Sequence, residues 1–487
     1  MPPSERESPP RATSLYVAQE RLSNTSPNLT LSRMLQWFIR TGALAALCTV
    51  SLPALAANEG QLQPVGVARV DITPDYPIRL TGYASRKQES EGVTQHLWAK
   101  ALAIGSDQDG PAILITVDNC GVPRNVRDEV AHRLQQKKRI SPNRVAICST
   151  HTHSAPWLKG FAPNIFGGPI PPEEQARVER YTREVTDALE KVALNALQDR
   201  QPAKLSRGWG QAGFAANRRT KGGPVDRDLL VLFVTDTEGK LRAIFASYAC
   251  HGTTLGGDFN QLCGDWAGYA QEYLEREHPG AIALIALGCA GDANPNPRPG
   301  LDFTRQHGQE ICTAVDRVLT NSLSPVEGKL VCRTKQIQLP LATLPTRAQW
   351  ETQARQTNYL GSFARMNLAR LDRGEKLPAD IPYLVQTWTF GKGLAMIFLP
   401  GEVVVDYSLR LKKDYDASRL WINAYANDVP CYIPSERILK EGGYEGGGAM
   451  VFYDKPSPLA PGVESLIVGA VHDLMPKEFA ETRAAAK

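Results

Sequence analysis

Beyond its first sixty residues the chain alternates short apolar runs with amphipathic stretches. The runs Ala112–Val117, Arg144–Cys148, Leu229–Val234, Ala243–Tyr248, Ile282–Leu287 and Leu394–Leu399 predict buried strands. A helical spacing of apolar positions predicts helices over Asn125–Lys137, Pro172–Ala196, Ala267–Glu277, Phe303–Thr320, Thr346–Leu371 and Ser465–Leu474. In the first of these, Val126, Val130 and Leu134 recur every fourth residue and share one face. The turn Thr237-Glu238-Gly239-Lys240 joins two strand runs as a hairpin, which makes the sheet mixed. The pattern therefore predicts an α/β layered fold: a mixed central sheet flanked by helices, with a site at the strand carboxyl ends. No internal repeat and no interdomain linker breaks residues 58–487, which read as one domain.

The N-terminus stands apart. Arg33 and Arg40 precede an apolar stretch from Ala43 to Leu55, and Ala54-Leu55-Ala56 supplies a small-x-small cleavage pattern. Residues 1–57 thus read as an N-terminal extension and cleavable signal peptide, and the rest as an exported protein, periplasmic or extracellular. Composition adds exclusions: 42% hydrophobic and 22% charged residues rule out a disordered chain. Basic and acidic residues number 55 and 51, and no basic run is interleaved with aromatics, so nucleic acid is excluded as a partner. After the leader, the cysteines are Cys120, Cys148, Cys250, Cys263, Cys289, Cys312, Cys332 and Cys431. An oxidising compartment permits disulfides, but several of these end apolar runs in the manner of buried thiols, and the pairing stays open.

Position carries the chemical signal. Strand runs lead directly into Asp118, His151-Thr152-His153, His251 and the segment Gly291–Asn296, and the last leads through Pro400-Gly401 to Glu402. Two residues apart in an extended segment, His151 and His153 would point the same way. Either both bind one metal, or one binds while the other moves protons. Two imidazoles and a carboxylate suit Zn²⁺ with a position left open for water, and His251 and Glu402 can complete that set. Each has a plainer reading, as a histidine satisfied by backbone and as an acidic residue opening a helix. His96, His132, His278, His307 and His472 are expected at the surface. Asp118 and Asp265 are candidates to orient imidazoles, or simply to satisfy strand-end amides. No H-E-x-x-H, G-x-S-x-G or Walker-type loop is present, and the glycine-rich 442–448 segment follows no strand.

These residues sit in motifs that resemble the catalytic domain of the neutral (alkaline, non-lysosomal) ceramidases over nearly the whole exported part. The resemblance is carried by Gly66–Pro74, Gly82-Tyr83-Ala84, Leu97–Ile104, Ile115–Asp118, Ile147–Pro156, Asn217-Arg218, Val225–Asp228, Ala249–Leu255, Gly264–Ala270, Gly291–Asn296, Pro400–Glu402 and Gly443-Tyr444-Glu445. It implies an α/β core that hydrolyses an N-acyl bond with one catalytic zinc per chain. By the same resemblance the zinc ligands are His151, His251, Glu402 and Tyr432, and His153, Arg218 and Tyr444 surround the scissile amide. Two departures stand out. The family's G-D-x-S-P-N reads Gly291-Asp292-Ala293-Asn294-Pro295-Asn296, so an amide replaces the serine discussed as a nucleophile. The chain also ends soon after Tyr444, with no room for the family's C-terminal immunoglobulin-like domain.

The expectation is a secreted zinc-dependent hydrolase in which zinc-activated water attacks a small-molecule or lipid N-acyl substrate. Asn294 retains only a hydrogen bond to the oxyanion, and the departures speak against ceramide itself. A transient membrane-surface contact fits a lipid substrate. The competing readings are a zinc esterase or deacylase for a smaller substrate, and a catalytically silent lipid-binding member. Trp157, Phe161 and Phe166 either wall an apolar channel or pack a long loop.

Overall fold

The computed structural model describes residues 61–480; the predicted leader lies outside them. All six apolar runs are strands, and the Thr237–Lys240 turn joins antiparallel partners. Across the main sheet the order is Val145–Ser149, Ala112–Val117, Trp98–Ile104, Gln63–Asp71, Gln201–Gln211, Asp228–Asp236, Leu241–Tyr248 and Ile282–Leu287, with Ser324–Pro325 added beside Gln201–Gln211. Only the outermost pair at each edge is parallel, so the sheet is mixed as predicted. A second sheet runs Leu330–Pro340, Asp380–Phe390, Leu394–Phe398 and Leu420–Asn423.

Continuous apolar runs mark strands buried on both faces. In Ala112–Val117, Ile113, Ile115 and Val117 join the core shared with the helices. Ala112 and Leu114 face the other way, into a core shared with Trp388, Phe398 and Trp421 of the second sheet. Phe245 stacks on Trp421 at 4.8 Å across that inter-sheet core. The helices Arg124–Lys138, Pro172–Gln198, Asp265–Glu277 and Leu301–Leu319 cover the main sheet, and Val463–Leu474 covers the second. The layers are therefore helix, sheet, sheet, helix.

The strip Ala424–Asn427 joins the two edges of the main sheet. Ala424 N donates to Leu287 O of one edge (2.9 Å), while Ser149 N donates to Tyr425 O (3.1 Å) and Asn427 N to Ile147 O (2.7 Å) of the other. Strand ends that are far apart along the sheet path thus meet at one place.

Three expectations are corrected. The stretch Thr346–Leu371 is two helices, Arg347–Ala354 and Tyr359–Asp372, because Asn358 caps a new start by accepting from the amides of Leu360 and Gly361. His307 is buried, 3% exposed, and stacks on Phe214 at 4.3 Å. The stretch after Glu402 is a two-residue strand, Glu402–Val403, before the helix Val405–Asp414 begins, so Glu402 does not open the helix. The eight cysteines among the described residues are all buried and unpaired. Among the described residues no helix is long and apolar enough to cross a membrane.

Candidate metal centre

Two strand-end extensions run side by side. Thr152 pairs with Gly252 in a parallel bridge, and His153 N donates to Gly252 O at 3.0 Å. A Cβ on Gly252 would lie 2.6 Å from His151 O, so only glycine lets the two segments touch. His151 adopts φ 53°, left-handed backbone rather than the extended form expected. This is a conformation that non-glycine residues rarely adopt, and it persists where the surroundings enforce it. Its ring nonetheless lies 4.7 Å from those of His153 and His251. The third arm is the strand Glu402–Val403, which pairs in parallel with Tyr432–Ile433 and sets Glu402 directly beside Tyr432.

One potential ligand atom from each of His151, His251 and Glu402 lies within 4.8 Å of the others, and all three residues are buried. Glu402 Oε2 is 3.3 Å from His151 Nε2 and 3.0 Å from His251 Nε2. The far ring nitrogens are engaged, His151 Nδ1 with Cys120 O at 2.5 Å and His251 Nδ1 with Ala290 O at 2.7 Å. Those carbonyls engage each Nδ1 and leave each Nε2 facing inward, the orientation that metal-binding histidines use. Tyr432 Oη completes the rim, 3.3 Å from His251 Nε2. Burial pushes the Glu402 carboxyl up, but the His151 and His251 imidazoles more than reverse this and hold it well below the usual carboxylate range. Burial, with Arg218 beside it, pushes His251 down to about 4, so its ring is neutral. Two inward Nε2 atoms converge with one buried carboxylate in a cradle that a divalent cation fits, the ion displacing the proton that His151, raised despite its burial to about 10 beside Cys120 and Glu402, otherwise holds.

A second cluster, Cys120, His151 and His153, also converges. It is the poorer cradle, because burial raises the Cys120 thiol pKa and the His151 nitrogen facing the sulfur already serves the Cys120 carbonyl. His153 differs from the other two histidines. Its Nε2 is 3.1 Å from His151 Nε2, while its Nδ1 is buried without a partner. Besides that nitrogen contact, packing holds the ring: Tyr83 lies edge-on at 5.0 Å, and a Cβ on Gly82 would come within 2.4 Å of the imidazole. Burial, then His151 and His251, keep His153 neutral by lowering its pKa.

Arg218 sits across the cradle. Its Nε donates to Glu445 at 2.7 Å, its Nη1 is 3.2 Å from His251 Nε2, and its Nη2 is buried without a partner. Its guanidinium lies over the rings of Tyr432 and Tyr444, at 5.3 and 5.6 Å. Asn294 is on the strand Ala293–Pro295, with Oδ1 accepting from Thr253 Oγ1 at 3.4 Å. Its segment is a hub. Arg218 N donates to Asp292 O, His251 N to Ala293 O, Gly291 N to Val403 O, and Val405 N to Asp292 Oδ1.

Some expectations do not hold. Asp118 and Asp265 touch no imidazole: Asp118 accepts from Trp98 N and Gln271, and Asp265 from the amides of Thr254, Leu255 and Trp266. Trp157 and Phe161 are buried, and Trp157 Nε1 donates to Phe161 O, so these aromatics pack the loop. The residue missed by sequence reasoning is Tyr453, which is buried and whose hydroxyl donates to Glu402 Oε1. No motif marks it. The Tyr453→Phe protein is expected to bind metal about 10–100-fold more weakly, the usual cost of losing a group that orients a ligand. Chelator competition would show this, and unchanged affinity would leave Tyr453 a packing residue.

A family described as neutral/alkaline non-lysosomal ceramidase, N-terminal, matches residues 64–329. The chain belongs to this family. The matched part holds His151, His153, Arg218, His251 and Asn294; Glu402, Tyr432, Tyr444 and Tyr453 lie beyond it. Among ceramidase relatives, the neutral ceramidase of Drosophila pseudoobscura pseudoobscura is 28% identical over 284 residues, 52% of this chain and 39% of the relative. That of Pseudomonas aeruginosa is 24% identical over 333 residues, 62% of this chain and 48% of the relative. The chain thus aligns with less than half the length of these ceramidases. The crystal structure of the Pseudomonas aeruginosa neutral ceramidase shares the fold, with a TM-score of 0.67 at 19% identity, over 86% of this chain and 76% of that one.

Proposed function

We propose that the protein is a zinc-dependent hydrolase of an N-acyl amide, in keeping with its ceramidase family, and that residues 58–487 form its hydrolase domain, exported by a cleaved leader. The observation that carries this reading is Glu402 Oε2, a buried carboxylate oxygen with no hydrogen-bond partner, facing two imidazole nitrogens at 3.3 and 3.0 Å. His151, His251 and Glu402, with Tyr432 as fourth, would hold the ion. Bound there, Zn²⁺ supplies Lewis acidity to the substrate carbonyl and lowers the pKa of water toward about 7. His153, neutral and with Nε2 turned into the cradle beside His151 Nε2, takes the proton of the attacking water and returns it to the leaving nitrogen. Arg218 turns its free Nη2 to the developing oxyanion, with Glu445 fixing the guanidinium plane. Tyr444, held against Arg218, orients the substrate.

Asn294 cannot be a nucleophile, and water takes that role. The backbone and Asp292 of its segment already tie Arg218, His251 and the Glu402 strand together, a function that survives any side chain at 294. Asn294→Ala is therefore expected to lower kcat by no more than about tenfold, the loss of one auxiliary hydrogen bond. Complete loss with metal retained would overturn the auxiliary role given to Asn294.

The test of the whole reading is the metal content of the purified protein, followed by hydrolysis across N-acyl lipids, N-acyl amino acids and simple esters. Near-stoichiometric zinc with amide cleavage supports it. Zinc without any turnover would favour a silent lipid-binding protein, and cleavage of esters alone an esterase.

A further inference from the structure

Of the three histidines at the cradle, His151 and His251 are fully buried, whereas His153 is half-buried and reaches solvent. What flanks His153 therefore borders the way in. Tyr83 packs edge-on against its ring, and two arginines meet Tyr83 in turn. The Arg86 guanidinium lies 5.0 Å from the centre of the Tyr83 ring, and Arg298 Nη2 donates to the Tyr83 hydroxyl at 3.3 Å. Among the described residues neither arginine pairs with a carboxylate. The acid on this side, Asp265, is buried and taken up by the amides of Thr254, Leu255 and Trp266.

The two cations differ in what they have left to give. Arg86 is 4% exposed and is spent on backbone, donating to the carbonyls of Thr81, His153 and Phe259. Burial lowers its pKa to about 10, so it keeps its charge at neutral pH. Arg298 is half-buried, and beyond the Tyr83 hydroxyl its Nε and Nη1 meet no acceptor among the described residues. Its segment continues directly from Asn294 and is tied down on both sides. Asn296 N donates to Phe214 O at 2.8 Å, Gly300 N donates to Thr254 O at 3.0 Å, and His307 Nε2 is 2.9 Å from Pro297 O.

A guanidinium with free donors, held in place next to a reaction centre, is a seat for an anion, and its planar fork matches a carboxylate. The side on which it stands says which half of the substrate carries that anion. His153 hands its proton to the leaving nitrogen, so the amine half lies at His153, and its substituents extend past Tyr83 toward Arg298. We infer that Arg298 binds a carboxylate on the amine half of the substrate, which makes N-acyl amino acids the substrate class; the inference rests on the N-acyl hydrolase reading above. Water gives its oxygen to the acyl carbon, the C–N bond breaks, and the nitrogen takes the water proton from His153. The products are a carboxylic acid and a free amino acid. Arg86 adds a second positive charge behind Tyr83 without touching the substrate.

The test uses the zinc-loaded protein, wild type, Arg298→Gln and Arg298→Lys. The substrates are the N-butanoyl derivatives of glycine, β-alanine and 4-aminobutyrate, each beside its carboxamide, from which only the charge is missing. For at least one spacer the wild type is expected to prefer the carboxylate by about tenfold in kcat/KM, chiefly through KM, the worth of one charge-assisted hydrogen bond. Arg298→Gln should abolish that preference, and Arg298→Lys should restore part of it, since an ammonium keeps the charge but lacks the fork. Binding of the three free amino acids, measured by calorimetry without turnover, should weaken in Arg298→Gln by a similar factor. No preference at any spacer, or a preference that survives Arg298→Gln, overturns the inference while cleavage of the carboxamides leaves the hydrolase reading standing. If the wild type cleaves none of the six amides, the hydrolase reading fails, and amino-acid binding decides Arg298: affinity lost in Arg298→Gln keeps it as the carboxylate seat, and affinity absent or unchanged removes it.

Discussion

Glu402→Gln is expected to lose activity by about 10³-fold or more, the scale on which removal of one preorganised charged group acts, together with most of its metal. The substitution keeps the volume and keeps an oxygen for Tyr453 to donate to, so the surrounding packing is undisturbed. What changes is the charge. In the native protein a buried carboxylate oxygen faces His151 Nε2 and His251 Nε2 with nothing else to satisfy it. An amide there offers one weakly basic carbonyl and an NH2 that only donates, and the net attraction for a divalent cation collapses. Elemental analysis of the purified variant reads the metal and kcat/KM reads the chemistry. A fully loaded, active Glu402→Gln protein would remove the basis for the centre.

His153→Gln should behave differently. Activity is expected to fall by about 10²–10⁴-fold, the contribution of a positioned general base, while metal content stays at the wild-type level. The distinction rests on how the three rings are held. His151 and His251 each give Nδ1 to a carbonyl, the arrangement that presents Nε2 to a metal. His153 has no such carbonyl and is located by contact with Gly82 and Tyr83. If metal were lost in step with activity, His153 would be a ligand and the proton would have to go elsewhere.

Much of this was legible in the sequence, for reasons that differ between elements. Strands buried on both faces, such as Ala112–Val117 and Ile282–Leu287, are unbroken apolar words and were found with their bounds. Gln201–Gln211 and Leu330–Pro340 escape the apolar pattern, because the first is mostly half-buried and the second exposed over its middle, and their polar residues read as loop. The helix pair after Thr346 was merged because a continuous run of helix formers hides an asparagine cap. For the site, strand-end position pointed to His151, His251 and Glu402. An extended backbone does not bring His151 and His153 together: His151 is left-handed, and the convergence comes from the Thr152–Gly252 bridge. Tyr453 was invisible because its role is purely tertiary: nothing in its neighbours in the chain speaks of Glu402. Tyr432 came only through the resemblance, and its short parallel pairing with Glu402 has no periodic signature.

The strip Ala424–Asn427, which ties Leu287 to Ser149 and Ile147, has a kinetic consequence. It and both Glu402 and Tyr432 lie in the last fifth of the chain, so a ribosome or translocon would deliver the two histidine segments long before the acid that completes their cradle. Contacts between residues so distant in sequence form late. A partly emerged chain would therefore present the imidazoles without the buried acid that completes the cradle.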